Sequence, residues 1–186
     1  MKNYLHTAPT SSKKLVRPRQ WDKTNKVWKP SWDVIEFASY AYTAENIEVV
    51  TALLQDNLTP DLLSPAYLEG NETNPLYGHC VHASQAMMCL MDTTNLVPIR
   101  GQDVSGEYHW WLADTETGQI IDPTEGQFDA LDYPAPHSTG KKTNWYTFKS
   151  TPKKQTLSLI KKMQPDAKLY WVSDPYGNYG TLETFM

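Results

Sequence analysis

The segment from Val81 to Asp92 contains neither glycine nor proline, and its apolar residues recur at helical spacing. The residues that share one side are Ala83, Met87, Leu90 and Met91. This pattern predicts a buried helix of about three turns. Gly78 lies just before the segment, so a small-residue turn places Cys80 where the helix begins. A fold that accommodates this helix must surround it with apolar partners.

An antiparallel hairpin is predicted after this helix. Leu96 to Gly101 and Glu107 to Ala113 contain the branched and aromatic residues that favour strands. Asp114 to Gly118 has the composition of a tight turn, and Gln119 to Asp122 then continues as the partner strand. We therefore expect strands on the carboxyl side of the Cys80 helix.

Helical spacing also covers Ser31 to Asn57, where we expect one broken helix or two helices, the second capped by Thr43. A further amphipathic helix is expected to open at Ser150 to Pro152. The aromatic residues that alternate in Thr143 to Lys149 predict a strand. Residues 1–20 are polar and are expected to form a loose or extended arm.

These patterns predict an α+β fold in one domain over residues 1–186. Helices are expected first in the chain. The helix that begins at Cys80 is expected to pack on an antiparallel sheet that follows it.

Charge and composition exclude several classes of function. The formal net charge is -4, whereas a nucleic-acid binder needs a cationic surface. The apolar runs are far shorter than the roughly 18 residues of a membrane span. The N-terminus lacks the apolar core of a secretion signal, and two cysteines fit a reducing compartment. We expect a cytoplasmic protein that binds neither nucleic acid nor membrane.

Cys80, His109 and Asp122 have the composition of a thiol nucleophile, its base and the group that orients the base. Cysteine attacks as the thiolate, which a helix N-terminus and a neighbouring histidine both stabilise. His109 lies in one strand of the predicted hairpin and Asp122 in the other, where the two come close to facing each other. The carboxylate would fix the tautomer of the ring and stabilise its protonated form.

Two further histidines compete with His109 for the role of base. His79 and His82 both lie close to Cys80 along the chain, where neighbouring helical residues point apart. We therefore prefer His109. The other candidates for substrate binding, the cleft wall or the oxyanion are Asn74, Tyr77, His79 and Trp111.

Cys89 is expected to be a small core residue. It follows Cys80 by nine positions, so it is turned roughly 180° around the helix and displaced by roughly 13 Å. A disulfide needs Cα atoms within about 7 Å, which the helix does not allow. A metal could in principle use Cys80, His82, His109 and Asp122. The chain has no paired Cys-x-x-Cys or His-x-x-x-His spacing, so we expect no metal and no other cofactor.

The segment from Gly78 to Thr124 resembles the core of the transglutaminase-like division of papain-like thiol enzymes, in a small bacterial or phage form. Gly78–Cys80 resembles the start of the nucleophile helix. His109–Leu112 resembles the histidine strand, and Gly118–Thr124 resembles the aspartate strand with its Asp-Pro-Thr ending.

This resemblance implies a papain-like core with Cys80 as nucleophile, His109 as base and Asp122 as orienting group. It implies acyl chemistry on an amide bond of a protein, peptide or small-molecule substrate. Our hypothesis is a thiol hydrolase that works through a thioester intermediate. One alternative is an acyltransferase of the transglutaminase type, which transfers the acyl group to an amine or deamidates. The other is a non-catalytic binding or inhibitory protein that uses an aromatic cleft.

Overall fold

The computed structural model describes residues 11–16, 20–22, 24, 27–29, 34–143, 152–171 and 180–181. Within them helices and strands are mixed and most strand pairs are antiparallel, so the fold class is α+β, as predicted. The predicted strand at 143–149 lies outside the described residues except for Thr143.

The described α-helices are α1 (Ala44–Asn57), α2 (Leu68–Thr73), α3 (Cys80–Leu90) and α4 (Lys154–Met163). The described strands are β1 (Ser11–Val16), β2 (Gln20–Asp22), β3 (Val27–Lys29), β4 (Val34–Ala41), β5 (Met91–Asp92), β6 (Leu96–Gln102), β7 (Tyr108–Asp114), β8 (Ile120–Ile121), β9 (Lys141–Lys142), β10 (Lys168–Trp171) and β11 (Gly180–Thr181). Short 3-10 helices cover Pro60–Leu62, Pro65–Tyr67, Glu125–Ala130 and His137–Thr139.

The sheet that carries the candidate site has the order β8-β7-β6-β9, with every pair antiparallel. Its central strand β7 pairs along its whole length with β6, from Leu96 opposite Asp114 to Gln102 opposite Tyr108. By contrast, β8 pairs only with residues 112 and 113. The start of β7 therefore extends beyond its short neighbour.

A second sheet has the order β1-β4-β10-β11, and β5 joins β4 as a parallel pair. The β2–β3 hairpin is separate from both sheets. Residues 11–16 of the expected arm therefore form a paired strand, and residues 1–10 lie outside the described residues.

The first half of the predicted helical region is wrong, because residues 34–41 form strand β4. Phe37 and Ser39 are buried and Glu36 is exposed, and burial that alternates along the chain in this way is typical of a strand. Strands β1 and β10 pair with β4 on its two edges, so tertiary pairing overrides a spacing that also fits a helix. The second half is confirmed: α1 follows Thr43, whose hydroxyl accepts a hydrogen bond from the Asn46 amide at 3.2 Å.

The helix that begins at Cys80 lies at the centre of the core. Helix α3 packs against α1, α4 and β7, so it does contact an antiparallel sheet as predicted. Met87 and Leu90 are fully buried, and burial of each such side chain stabilises the fold by roughly 2 kcal/mol. The Ser84 hydroxyl donates to the Trp110 carbonyl at 3.0 Å and ties the helix to β7.

The other predicted elements near the site are confirmed. Strands β6, β7 and β8 fall where the hairpin was expected, and α4 follows Pro152 with Leu157 and Ile160 buried. No helix among the described residues is both long enough and apolar enough to cross a membrane.

Candidate active site

Cys80 is placed by a sharp turn that ends where α3 begins. Gly78 has φ +82°, a conformation that L side chains rarely adopt. A Cβ there would lie 2.7 Å from the Cβ of Tyr67, so glycine also allows a close approach. Cys80 itself is 7% exposed and lines a cavity of about 460 Å³. The cysteine is therefore both held by the core and open to a ligand.

His109 lies near the start of β7 and is almost fully buried, at 3% exposure. Its ring stacks on Trp111, with centroids 5.7 Å apart, and meets Phe128 edge-on at 4.8 Å. The stacking confirms that His109 and Trp111 share one face of the strand, as the alternation predicted. These aromatic contacts fix the orientation of the imidazole.

Asp122 immediately follows β8, and its carboxylate is fully buried. Thr124 donates to Asp122 Oδ1 from its backbone amide at 3.0 Å and from its hydroxyl at 3.2 Å. The other oxygen, Oδ2, lies 2.6 Å from His109 Nε2. Extension of the β7–β8 register would set Asp122 opposite Trp111, so His109 is the diagonal neighbour, still within reach across the strands.

The electrostatics of these residues favour a charged pair. Burial lowers the pKa of His109, but the hydrogen bond with Asp122 and the interactions with Asp122 and Cys80 outweigh burial and raise the pKa to about 9. Burial raises the pKa of Asp122, yet its hydrogen bonds with His109 and His137 hold the pKa below its ordinary value. The protonation of His109 therefore depends on both the carboxylate and the cysteine.

Gln127 is part of the site, although no sequence pattern marks it as a site residue. Its Nε2 lies 3.0 Å from His109 Nδ1 and donates to the Thr124 carbonyl at 3.0 Å. With His109 Nε2–H directed at Asp122, Nδ1 is the acceptor of the neutral ring. The Gln127 amide therefore supports the tautomer that can accept a proton from Cys80.

Asn74 was expected to bind the substrate or the oxyanion, but in the structure its side chain binds the backbone of Gln127. The Asn74 side chain donates to the Gln127 carbonyl at 2.7 Å and does not line the described wall of the cavity. Gln127 does line that wall. Gln127, and not Asn74, therefore contributes a side-chain amide to that wall.

His137 is the second residue that sequence reasoning missed. Its Nε2 lies 2.9 Å from Asp122 Oδ2, the oxygen that also binds His109. Its Nδ1 lies 3.8 Å from a carboxylate oxygen of Glu125, and the ring is 17% exposed. His137 lies in a segment without periodicity, between prolines and Gly140, so no pattern in the sequence marks it.

His109, Asp122 and His137 each offer a ligand atom, and these atoms lie within 4.8 Å of one another. They could in principle hold a divalent metal, with a ligand set that differs from the one considered from the sequence. The separations of 2.6 and 2.9 Å are hydrogen-bond lengths. Tetrahedral ligands around zinc are about 3.3 Å apart, so metal binding would require the three side chains to move apart.

The remaining sequence candidates fall in different places. Tyr77 lines the cavity, as expected for a wall residue, and its hydroxyl donates to Glu107 at 2.8 Å. Trp111 was expected in the wall but is 1% exposed and does not belong to the described wall, which includes Trp110 instead. His79 is fully buried, and neither ring nitrogen has a hydrogen-bond partner among the described residues. Burial lowers the pKa of His79 to about 4, so its ring supports the core and does not line the site.

The two cysteines are in different environments, as predicted. Cys89 is partly buried against the core, and no disulfide joins it to Cys80. The wall of the cavity around Cys80 is rich in aromatic rings. The aromatic members of the described wall are Tyr67, Tyr77, Tyr108 and Trp110.

Comparisons with protein-family models, with curated proteins and with solved structures each found no match. The likeness of Gly78–Thr124 to transglutaminase-like enzymes therefore stays a prediction from sequence motifs.

Proposed function

We propose that this protein is a thiol hydrolase that cleaves an amide bond through a Cys80–His109–Asp122 triad. The observation that carries the proposal is the position of the His109 ring. One nitrogen lies 2.6 Å from the buried Asp122 carboxylate, and Cys80, which lines the cavity, helps to raise the pKa of the same ring. This is the arrangement that activates a thiol and then returns its proton.

The reaction begins with transfer of the Cys80 proton to His109 Nδ1. The thiolate attacks the carbonyl carbon of the amide, and the carbonyl oxygen becomes an oxyanion. His109 then gives its proton to the departing amine as the C–N bond breaks, which leaves a thioester on Cys80. Water attacks the thioester while His109 accepts a proton from it, and the acid leaves as the thiol is restored.

The oxyanion would form where hydrogen-bond donors already point. Cys80 is the first residue of α3, whose N-terminal amides and dipole favour negative charge. Gln127 adds a side-chain amide in the same wall. When His109 carries a proton on Nδ1, the Gln127 N–H loses its acceptor there and can donate to the substrate oxygen instead.

The order of the elements supports a papain-like arrangement of the transglutaminase type. Helix α3 begins at the nucleophile, β7 carries the histidine, and the aspartate follows β8. A non-catalytic binding role would not require a buried carboxylate paired with a histidine at the thiol. We therefore place hydrolysis and acyl transfer ahead of binding or inhibition.

An acyl-enzyme test addresses the proposal directly. The protein is mixed with p-nitrophenyl acetate, quenched in acid and analysed by intact mass spectrometry and peptide mapping. We expect one acetyl group on Cys80 within the first turnover. The Cys89→Ala variant should behave as the wild type, and Cys80→Ala should carry no thioester. Acetylation at equal rates in wild type and His109→Gln would contradict the triad.

The same assay separates hydrolysis from acyl transfer. Hydroxylamine is added as an amine acceptor, and the release of p-nitrophenol is followed at steady state. Turnover that is unchanged by hydroxylamine supports hydrolysis. Turnover that rises with its concentration, with hydroxamate as product, supports the acyltransferase alternative.

A further inference from the structure

The Asp122 carboxylate has its hydrogen-bonding positions occupied on both oxygens. Its Oδ1 accepts from the amide and the hydroxyl of Thr124, at 3.0 and 3.2 Å. Its Oδ2 lies 2.6 Å from His109 Nε2 and 2.9 Å from His137 Nε2. A carboxylate offers about four lone-pair positions, and these contacts fill them. His109 therefore shares one oxygen atom with a second imidazole.

His137 is held in this place by the packing of the segment that leads into β9. Its ring meets Trp111 edge-on with centroids 5.0 Å apart, and Trp111 stacks on His109. A Cβ at Gly140 would collide with the Trp111 ring, so the glycine lets the segment approach closely. Strand β9 then pairs with β6. The position of His137 is thus fixed by packing as well as by its bond to Asp122.

Two carboxylates face the His137 ring. Besides Asp122, Glu125 Oε1 lies 3.8 Å from Nδ1, and the Glu125 side chain is 64% exposed. That separation is too long for a hydrogen bond, and solvent screens the exposed charge. His137 does not belong to the described wall of the cavity. An effect of His137 on the reaction therefore passes through Asp122.

The two donors on Oδ2 oppose each other. The pKa of Asp122 is held low, so the group is a carboxylate, and each histidine must direct an N–H at it. The N–H of His137 places partial positive charge on the oxygen that also binds the proton of His109. This charge stabilises the carboxylate but disfavours a positive charge on the neighbouring ring. His137 therefore weakens the hold of Asp122 on the His109 proton.

We propose that His137 is a positioning residue that shares the Asp122 carboxylate with His109 and limits how firmly the carboxylate holds the His109 proton. This inference rests on the proposed function and concerns proton transfer at the same site. His109 must give its proton to the departing amine, and it must be neutral when it activates water. A ring held too firmly in its protonated form would still support the thiolate but would be slow to complete the cycle.

The charge on His109 tests this sharing without a substrate. The Cε1–H signal of His109 is assigned by its absence in His109→Gln, and its position is read at pH 9 between its acidic and alkaline limits. The pKa of His109 is about 9, so the wild-type ring is about half protonated there. His137→Phe removes the N–H donor. We expect at least about three quarters of the rings to be protonated, about a threefold gain in proton affinity, which is part of what one hydrogen bond to a charged group contributes.

Matched variants separate the donor from the packing. His137→Gln keeps a side-chain N–H and should restore the wild-type signal, whereas His137→Leu repeats the loss with a smaller apolar side chain. Thr139→Val removes a hydroxyl that donates to the Pro136 carbonyl at 3.1 Å, so it loosens the same segment and should leave His109 as in wild type. The proposal is overturned if His109 is no more protonated in His137→Phe and His137→Leu than in wild type. An equal change in Thr139→Val or in His137→Gln would also overturn it.

Loss of the acetyl group from Cys80 relates the sharing to the reaction. This hydrolysis needs a neutral His109, so at pH 7 it should be about threefold slower in His137→Phe, in line with the gain in proton affinity. Labelling of Cys80 by iodoacetamide should not slow. Unchanged hydrolysis, or an equal loss of both rates, would contradict a role in proton transfer. If no acetyl group forms on wild-type Cys80, the proposed function fails, and the His109 signal still decides whether the two rings share the carboxylate.

Discussion

Asp122→Asn tests how strongly the buried carboxylate holds a proton on His109. The pKa of His109 is about 9, compared with an ordinary value of 6.5. Each factor of ten in proton affinity corresponds to about 1.4 kcal/mol, so this difference corresponds to roughly 3 kcal/mol in favour of the charged ring. An asparagine keeps the shape and removes the charge. Of the named causes that raise the pKa, only those from Cys80 then remain to oppose burial, and we expect the pKa of His109 to fall well below 9.

The pH dependence of stability follows from the directions of the two pKa changes. The raised pKa of His109 contributes stability that is fully present below pH 6.5 and is lost as the pH rises through about 9. The lowered pKa of Asp122 contributes stability above the ordinary carboxylate range, which is lost at lower pH. The pair is therefore most stabilising between about pH 4 and 6.5.

Two measurements check this prediction. Titration of the histidine Cε1–H signals by NMR, assigned with His109→Gln, should show the pKa of His109 drop in Asp122→Asn. Urea unfolding should show Asp122→Asn less stable than wild type by roughly 3 kcal/mol at pH 6 and by much less at pH 10. Asp132→Asn removes an exposed carboxylate and is the control. A His109 that still titrates near 9 in Asp122→Asn, or a loss of stability independent of pH, would show that the Asp122 carboxylate does not hold the proton on His109.

His137→Phe should lower the free energy of unfolding at pH 7 by about 1–2 kcal/mol, because Asp122 loses one of its two histidine donors. Urea unfolding should show that this loss of stability becomes smaller below about pH 4, where Asp122 takes up a proton. Gly78→Ala should cost roughly 2–3 kcal/mol, from left-handed backbone strain plus a clash with Tyr67. Gly118→Ala has similar strain in open space and should cost about 1 kcal/mol; equal losses in the two alanine variants would contradict the clash.

Local patterns predicted the part of the fold that surrounds Cys80. The apolar residues of Val81–Asp92 recur at helical spacing without glycine or proline, and α3 has the predicted position. The turn at Asp114–Gly118 fixes the hairpin of β7 and β8 by its own chemistry. Residues 34–41 were not predictable in the same way, because the spacing of their apolar residues fits both a helix and a strand. Pairing with the distant strands β1 and β10 decides in favour of the strand.

The candidate site was predictable to a similar extent. Alternation correctly placed His109 and Trp111 on one face of β7, but alternation does not show which side chains line the cavity, and Trp110 lines it in place of Trp111. Gln127 and His137 reach the histidine and the aspartate from an irregular segment after β8. Their positions depend on the path of that segment in space, which residue spacing does not encode.

The proposed function requires that His109 activates Cys80, and the alkylation rate of Cys80 measures this activation. Labelling by iodoacetamide is followed by mass spectrometry from pH 6 to 9.5 in the Cys89→Ala background, with Cys80→Ala as the blank. An ordinary thiol reacts slowly below pH 7. We expect Cys80 to react at pH 6.5 at least ten times faster in the Cys89→Ala background than after the further change His109→Gln. The same rate at pH 6.5 with and without His109→Gln would show that His109 does not activate Cys80.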